Sequence, residues 1–169
     1  MPQVVIIGPP GSGKSTIGKA LAKSLGVGFL DLDNQVEKKH GKKISEIFID
    51  EGEERFRELE FEALESALLN CGVILSLGGG APIAKRAQEL LKSSGAPIVF
   101  LDVSLATAAP RVGFNRDRPL LLGNPRAQWQ ALYDVRRPIY EELATITIKV
   151  DGMKVDEIVK KMRENVMYE

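Results

Sequence analysis

One cysteine and one histidine occur among 169 residues, and each scarcity removes a class of protein. Cys71 has no partner for an internal disulfide, and one cysteine with one histidine cannot build a zinc site. Cys71 reads instead as a buried or half-buried small hydrophobe. An excess of one charge is missing too. Twenty-three basic residues face 23 acidic ones, so electrostatics gives no argument for a nucleic acid or a membrane surface as partner. No apolar run is long enough to span a bilayer. The first residues lead straight into an apolar strand, which leaves no room for a signal peptide. Residence in the cytoplasm is the expectation. No internal repeat and no linker breaks the chain, so a single domain over 1–169 is expected.

What is present starts at Gly8. Gly8-Pro9-Pro10-Gly11-Ser12-Gly13-Lys14-Ser15 is a complete phosphate-binding loop of the G-x-x-x-x-G-K-[ST] type. It follows the apolar run Val4–Ile7, which reads as a buried strand, and it precedes a helical pattern from Thr16. That strand–loop–helix order is the context the motif requires. Glycines let backbone N–H groups turn inward on a polyphosphate, and a helix N-terminus adds a positive dipole end. Gly11, Ser12, Gly13, Lys14, Ser15 and Thr16 are therefore the expected ATP-binding residues. Lys14 would reach the β- and γ-phosphates, and the Ser15 hydroxyl would coordinate Mg2+.

Apolar runs alternate with amphipathic stretches over the rest of the chain, the pattern of a parallel sheet with helices on both faces. Five strands are expected, at Val4–Ile7, Phe29–Asp33, Val73–Leu77, Ile98–Leu101 and Ile146–Val150. Gly52 separates a short helix through Ile44, Ile47 and Phe48 from a long one striped by Phe56, Leu59, Ala63, Leu64 and Ala67. A helix over Lys85–Lys92 and a closing one over Val155–Val166 complete the reading. The segment 113–125 is rich in Gly, Asn, Pro and Arg and shows neither period, which reads as a lid over phosphates.

In open parallel sheets, ligands bind beyond the carboxyl ends of the strands. Asp31 and Asp33 lie there after strand two, facing one side if the chain is still extended. They read either as metal and acceptor ligands or as helix-capping chemistry, with Asp33-Asn34 the capping pair. Strand three ends without an acidic residue, which makes Ser76 notable and Asp31 the leading candidate behind the metal. Gly78-Gly79-Gly80 permits close approach of a ligand to the backbone, or forms a flexible turn. Arg57 reads alone as a solvated helix charge. Arg136 and Arg137, preceding Pro138, read as cations at a helix end.

Taken together, the motifs resemble the shikimate kinase family over essentially the whole chain. The matching stretches are GPPGSGKSTIGKALAKSLG, FLDLD, GEERFRELE, SLGGGA, RDRPLL and RRPIYEELA. The resemblance implies a three-layer P-loop kinase fold with a central five-stranded parallel sheet and a mobile lid. It implies ATP-dependent phosphorylation of the 3-hydroxyl of shikimate, with Mg2+, in aromatic amino acid biosynthesis, by a monomer. It further implies that Lys14, Asp33 and Arg118 are catalytic, with Arg118 and Arg111 joining the loop at ATP. Asp33, Arg57, Gly78, Gly79, Gly80 and Arg136 would hold shikimate, and Ser15 and, through water, Asp31 the metal. Pro9, Pro110 in the helix before the lid, and Arg137 beside Arg136 depart from the family pattern. Pro110 is expected to end or bend its helix. A gluconate or nucleoside monophosphate kinase is disfavoured by the paired arginines with D-x-D and L-G-G-G. A non-enzymatic ATP switch is disfavoured by the intact set Lys14, Ser15, Asp33, Arg57 and Arg118.

Overall fold

Val4, Val5, Ile6 and Ile7 are all fully buried, which a strand achieves only when both faces of its sheet are covered. This strand, β1 (Val4–Ile7), is the centre of the computed structural model, which describes residues 1–112 and 124–166. The chain continues through α1 (Lys14–Leu25), β2 (Phe29–Asp31), α2 (Leu32–His40), α3 (Ile44–Ala67), β3 (Ile74–Ser76) and α4 (Lys85–Ser94). It then forms β4 (Ile98–Asp102), α5 (Leu105–Val112), α6 (Pro125–Leu143), β5 (Ile146–Lys149) and α7 (Val155–Val166). The sheet is wholly parallel in the order β2-β3-β1-β4-β5. Helices α1 and α7 pack together over the sheet, as do α4 and α6, with α3 against α4. The five-stranded parallel α/β architecture agrees with the sequence expectation.

The order has a consequence for function. The chain leaves β1 for the β2–β3 side and later crosses to β4 and β5. The loops after β1 and β3 therefore end side by side on neighbouring strands, where a parallel sheet opens its crevice. Val4↔Ile74 and Ile6↔Ser76 fix the register that puts the phosphate loop level with the triple glycine.

Four local expectations need correction. Strand β2 stops at Asp31, not Asp33, because the Asp31 carboxylate leaves the ladder and caps α2, accepting from Asp33 N and Asn34 N. Asp33 is thus in the first turn of a helix, and the two acids do not share one strand face. Arg136 and Arg137 are not at a helix end, since α6 runs through Pro138 to Leu143. An interior proline costs about 3 kcal/mol, and burial of Trp129 and Tyr133 before it and Tyr140 and Leu143 after it offsets that loss. Pro110 likewise lies inside α5, whose described residues run on to Val112. Cys71 is exposed in the turn between α3 and β3.

Gly52 does interrupt α3 as expected, with φ 87° and ψ 165°. Of the expected lid, Asn124 and Pro125 belong to α6, Asn124 accepting from Arg126 N and Ala127 N as its N-cap. The rest of that segment, with Arg118, lies outside the described residues. Among the described residues no helix is long and apolar enough to cross a membrane.

Candidate active site

The phosphate loop takes its shape from glycines at positive φ. Gly11 and Gly13 sit at 81° and 94°, and Gly13 is the N-cap of α1, a conformation glycine adopts without steric cost. No acidic residue occupies the first turn of α1, so its unpaired N–H groups and positive dipole end face the cleft unopposed. Lys14 Nζ donates to Gly8 O at 2.8 Å and to Pro9 O at 2.9 Å, curling over the loop. Burial pushes its ammonium down to about 8, although Asp33 and Asp31 pull the other way, and Arg136 adds to the fall. Ser12 is 1 % exposed, and among the described residues its hydroxyl has no partner.

Ser15 and Asp31 are brought together by the β1–α1 and β2–α2 turns. Ser15 Oγ donates to Asp31 Oδ2 at 2.9 Å, and both line the same cavity of about 680 Å3. A hydroxyl backed by a carboxylate is a hard-oxygen donor set that suits Mg2+, which keeps most of its water shell. The residues present therefore fit the metal that an ATP-dependent enzyme requires. Thr16 and Ser76 line this cavity as well. Arg111 leaves α5 for its rim, donating to Gly11 O at 3.2 Å. Val150, Met153, Val155 and Ile158 form an apolar wall that the sequence reading did not assign to the site. Their apolar run marked strand five and the start of α7, and its position at a strand end was the missed signal.

Across the crevice, the triple glycine meets three of the expected site residues in succession. A Cβ built on Gly78 stands 2.9 Å from Asp33 Oδ1, one on Gly79 3.5 Å from Arg136 Nη1, and one on Gly80 2.5 Å from Arg57 Nη1. None of these glycines has positive φ. Gly78 and Gly80 leave room for the side chains of Asp33 and Arg57, and Gly79 packs close to Pro10 Cδ, 3.2 Å from a Cβ built there.

A second cavity of about 320 Å3 opens between Arg57, Arg136, Gly80 and Glu60. Among the described residues, the N–H groups of Gly79 and Gly80 have no acceptor. Asp33 lines the first cavity beside Gly78 and Gly79. Desolvation, reinforced by Asp31, raises its carboxyl above the usual range despite Lys14.

The two adjacent arginines of α6 are separated by their partners. Arg137 donates to Asp102 Oδ2 and Glu141 Oε1, both at 2.8 Å, and Tyr133 hydrogen-bonds the other oxygen of Asp102. Arg136, one residue earlier, faces Gly79. Arg57 is held by Glu60 at 2.7 Å, a carboxylate only 4 % exposed that sequence reasoning missed. Burial pushes Glu60 up while Arg57 holds it down. Its i,i+3 spacing from Arg57 was the available signal.

A glycine loop with its lysine at a helix N-terminus, facing a cationic pocket one strand away, defines a P-loop phosphotransferase acting on a small anionic acceptor. The sequence model of one family, shikimate kinase, matches residues 10–167. The chain belongs to the shikimate kinase family. It is 46 % identical over 166 residues to the shikimate kinase of Saccharopolyspora erythraea, covering 98 % of this chain and 94 % of that one. It is 49 % identical over 157 residues to that of Salinispora arenicola, covering 93 % of each. Among solved structures, the shikimate kinase from Acinetobacter baumannii in complex with shikimate superposes with a TM-score of 0.91. Their identity is 33 %, over 99 % of this chain and 93 % of that one.

Proposed function

We propose that this chain transfers the γ-phosphoryl group of ATP to the 3-hydroxyl of shikimate, giving shikimate 3-phosphate and ADP in aromatic amino acid biosynthesis. The observation that carries the reading is the convergence of Arg57, Arg136 and Asp33 on Gly78–Gly80, directly across from the phosphate loop. Two guanidinium groups suit a carboxylate because each binds it through a fork, which fixes orientation as well as charge. Gly79 and Gly80 add backbone donors. Asp33 accepts from the acceptor's hydroxyls, and its raised pKa makes it the more ready to take the proton as transfer proceeds.

Phosphoryl transfer passes through a loose transition state, so positioning and neutralisation of charge carry most of the rate. Lys14 offsets charge on the transferring group, and the loop N–H groups hold the phosphates. Ser15 and, through water, Asp31 would hold Mg2+, which would supply further neutralisation of charge on the phosphate oxygens. Arg111 serves the nucleotide base side of the cavity. Arg118 is assigned to the phosphates on the resemblance alone. The reading includes one domain over residues 1–169, a monomer at work in the cytoplasm with ATP and shikimate as its partners. A coupled ADP-release assay with shikimate, gluconate and nucleoside monophosphates tests it. Turnover of shikimate alone is expected, and turnover of another acceptor without shikimate would overturn it.

A further inference from the structure

The Tyr140 hydroxyl takes no part in the chemistry above, yet it sits between the acceptor-facing elements. Its ring is fully buried, with its centroid 5.2 Å from that of Phe100 and 6.3 Å from that of Tyr133. The hydroxyl donates to Gly79 O at 2.6 Å. Burial pushes the phenol up to about 12, with Arg136 and then Arg57 opposing. It therefore stays protonated across any working pH and has the Arg136 guanidinium beside it.

The carbonyl it takes is the one the turn leaves out. Gly78 O accepts from Ala81 N and Gly80 O accepts from Ile83 N, but no backbone group among the described residues reaches Gly79 O. The Gly79 carbonyl and the Gly80 N–H belong to one planar trans peptide, so they point in opposite directions. Fixing the carbonyl aims the N–H. This peptide, like the Gly78–Gly79 peptide before it, lies between two residues without Cβ atoms and meets little steric resistance to a flip, but Gly78 O is held by Ala81 N while Gly79 O is held by Tyr140 alone. A flip would present a carbonyl oxygen to the pocket that Arg57 and Arg136 make attractive to an anion.

We propose that Tyr140 is a positioning residue whose hydroxyl locks the Gly79–Gly80 peptide with its N–H toward the acceptor carboxylate, and so sets acceptor affinity. The inference rests on the reading of this pocket as the shikimate site. Tyr140→Phe keeps the packed ring and removes the donor. Its KM for shikimate should rise about tenfold, the factor equivalent to ~1.4 kcal/mol, while kcat stays within about twofold and ADP affinity is unchanged. Phe100→Leu is the control. It loosens the ring's packing without touching the hydroxyl and should lower Tm with little change in the shikimate KM.

An unchanged shikimate KM in Tyr140→Phe would overturn the inference, as would an equal loss of ADP affinity, which marks a merely structural role. If Tyr140→Phe does not fold, 4-aminophenylalanine at position 140 retains an N–H donor, whereas 4-methylphenylalanine fills similar space without one. The first should keep the shikimate KM and the second raise it; equal values overturn the inference. The unsubstituted enzyme separates the two readings. If it fails to phosphorylate shikimate, the functional reading falls and this inference with it; if it turns over shikimate and the variants behave alike, the inference alone falls.

Discussion

In the loop after β1, Gly11 and Gly13 hold φ of 81° and 94°. In the loop after β3, Gly78, Gly79 and Gly80 have no positive φ, and a Cβ would crowd Asp33 at Gly78, Pro10 at Gly79 and Arg57 at Gly80. The two loops lie on neighbouring strands and share a composition, but glycine serves the first through backbone shape and the second through emptiness. The first loop carries its function in its own eight residues. The second acquires function only from side chains delivered by α2, α3 and α6. On the proposed reading, the phosphate loop is read from local sequence, with Asp31 and Arg111 joining it from other elements, whereas the acceptor side is assembled wholly by tertiary structure.

The largest effect that would test this division is at Lys14. Lys14→Ala should reduce kcat by ~10²–10³-fold, the loss typical of one removed electrostatic donor, with far-UV circular dichroism unchanged. Near-normal kcat would mean that the loop is not the phosphate site and that the comparison has the wrong half as nucleotide side.

Next in size is Arg136→Ala against Arg137→Ala. The two are adjacent in sequence, but Arg136 faces Gly79 while Arg137 is tied to Asp102 and Glu141. Removing Arg136 should raise the shikimate KM ~30-fold, about 2 kcal/mol for a lost charge-assisted partner, and leave ADP affinity alone. Removing Arg137 should lower Tm and change KM less than about threefold. The reverse result would exchange their roles.

That pair shows where the sequence stops being legible. The phosphate loop, the five parallel strands and the Gly52 break rest on local pattern, and each is found, with strand two ending at Asp31 instead of Asp33. Which arginine of 136 and 137 faces the acceptor depends on Asp102, a residue 35 positions away that no periodicity connects to α6. Asp31 and Asp33 were legible as a pair beside the phosphates but not in their geometry, because a carboxylate that can cap a helix competes with the strand it ends. Pro138 argued locally for a helix end and was outweighed by buried aromatic rings on both sides. Cys71 was placed inside on the habits of cysteine, whereas its turn lies at the surface.

A smaller effect concerns pH and belongs to the nucleotide side alone. Burial lowers the Lys14 ammonium to about 8, so the charged form prevails below that pH and is lost as pH rises through it. Phosphate favours the charged form. ADP affinity, measured by calorimetry, should therefore weaken about tenfold between pH 7 and pH 9 by proton linkage. Lys14→Arg keeps its charge in this range and should flatten the profile. A profile that falls equally in both chains would assign the titration to another group.

The smallest effect is also the most direct contrast of the two loops. Gly13→Ala places a Cβ on backbone at φ 94° and should cost about 1 kcal/mol of strain, a fall of about 2–4 °C in Tm for a chain of this size. Open space does not help it, because the nearest heavy atom is 3.5 Å away and the penalty lies in the backbone itself. Gly80→Ala meets Arg57 Nη1 at 2.5 Å, but at an accessible φ and against the mobile end of a long side chain. Arg57 can withdraw only by loosening its bond to the buried Glu60, so Tm should fall by a similar amount, for about 1 kcal/mol. The contrast should appear as a higher shikimate KM, since the displaced guanidinium is half of the carboxylate clamp. An unchanged shikimate KM in Gly80→Ala, or an equal rise of that KM in Gly13→Ala, would mean that the two loops do not use glycine differently, and the distinction between the nucleotide side and an assembled acceptor side would lose its physical basis.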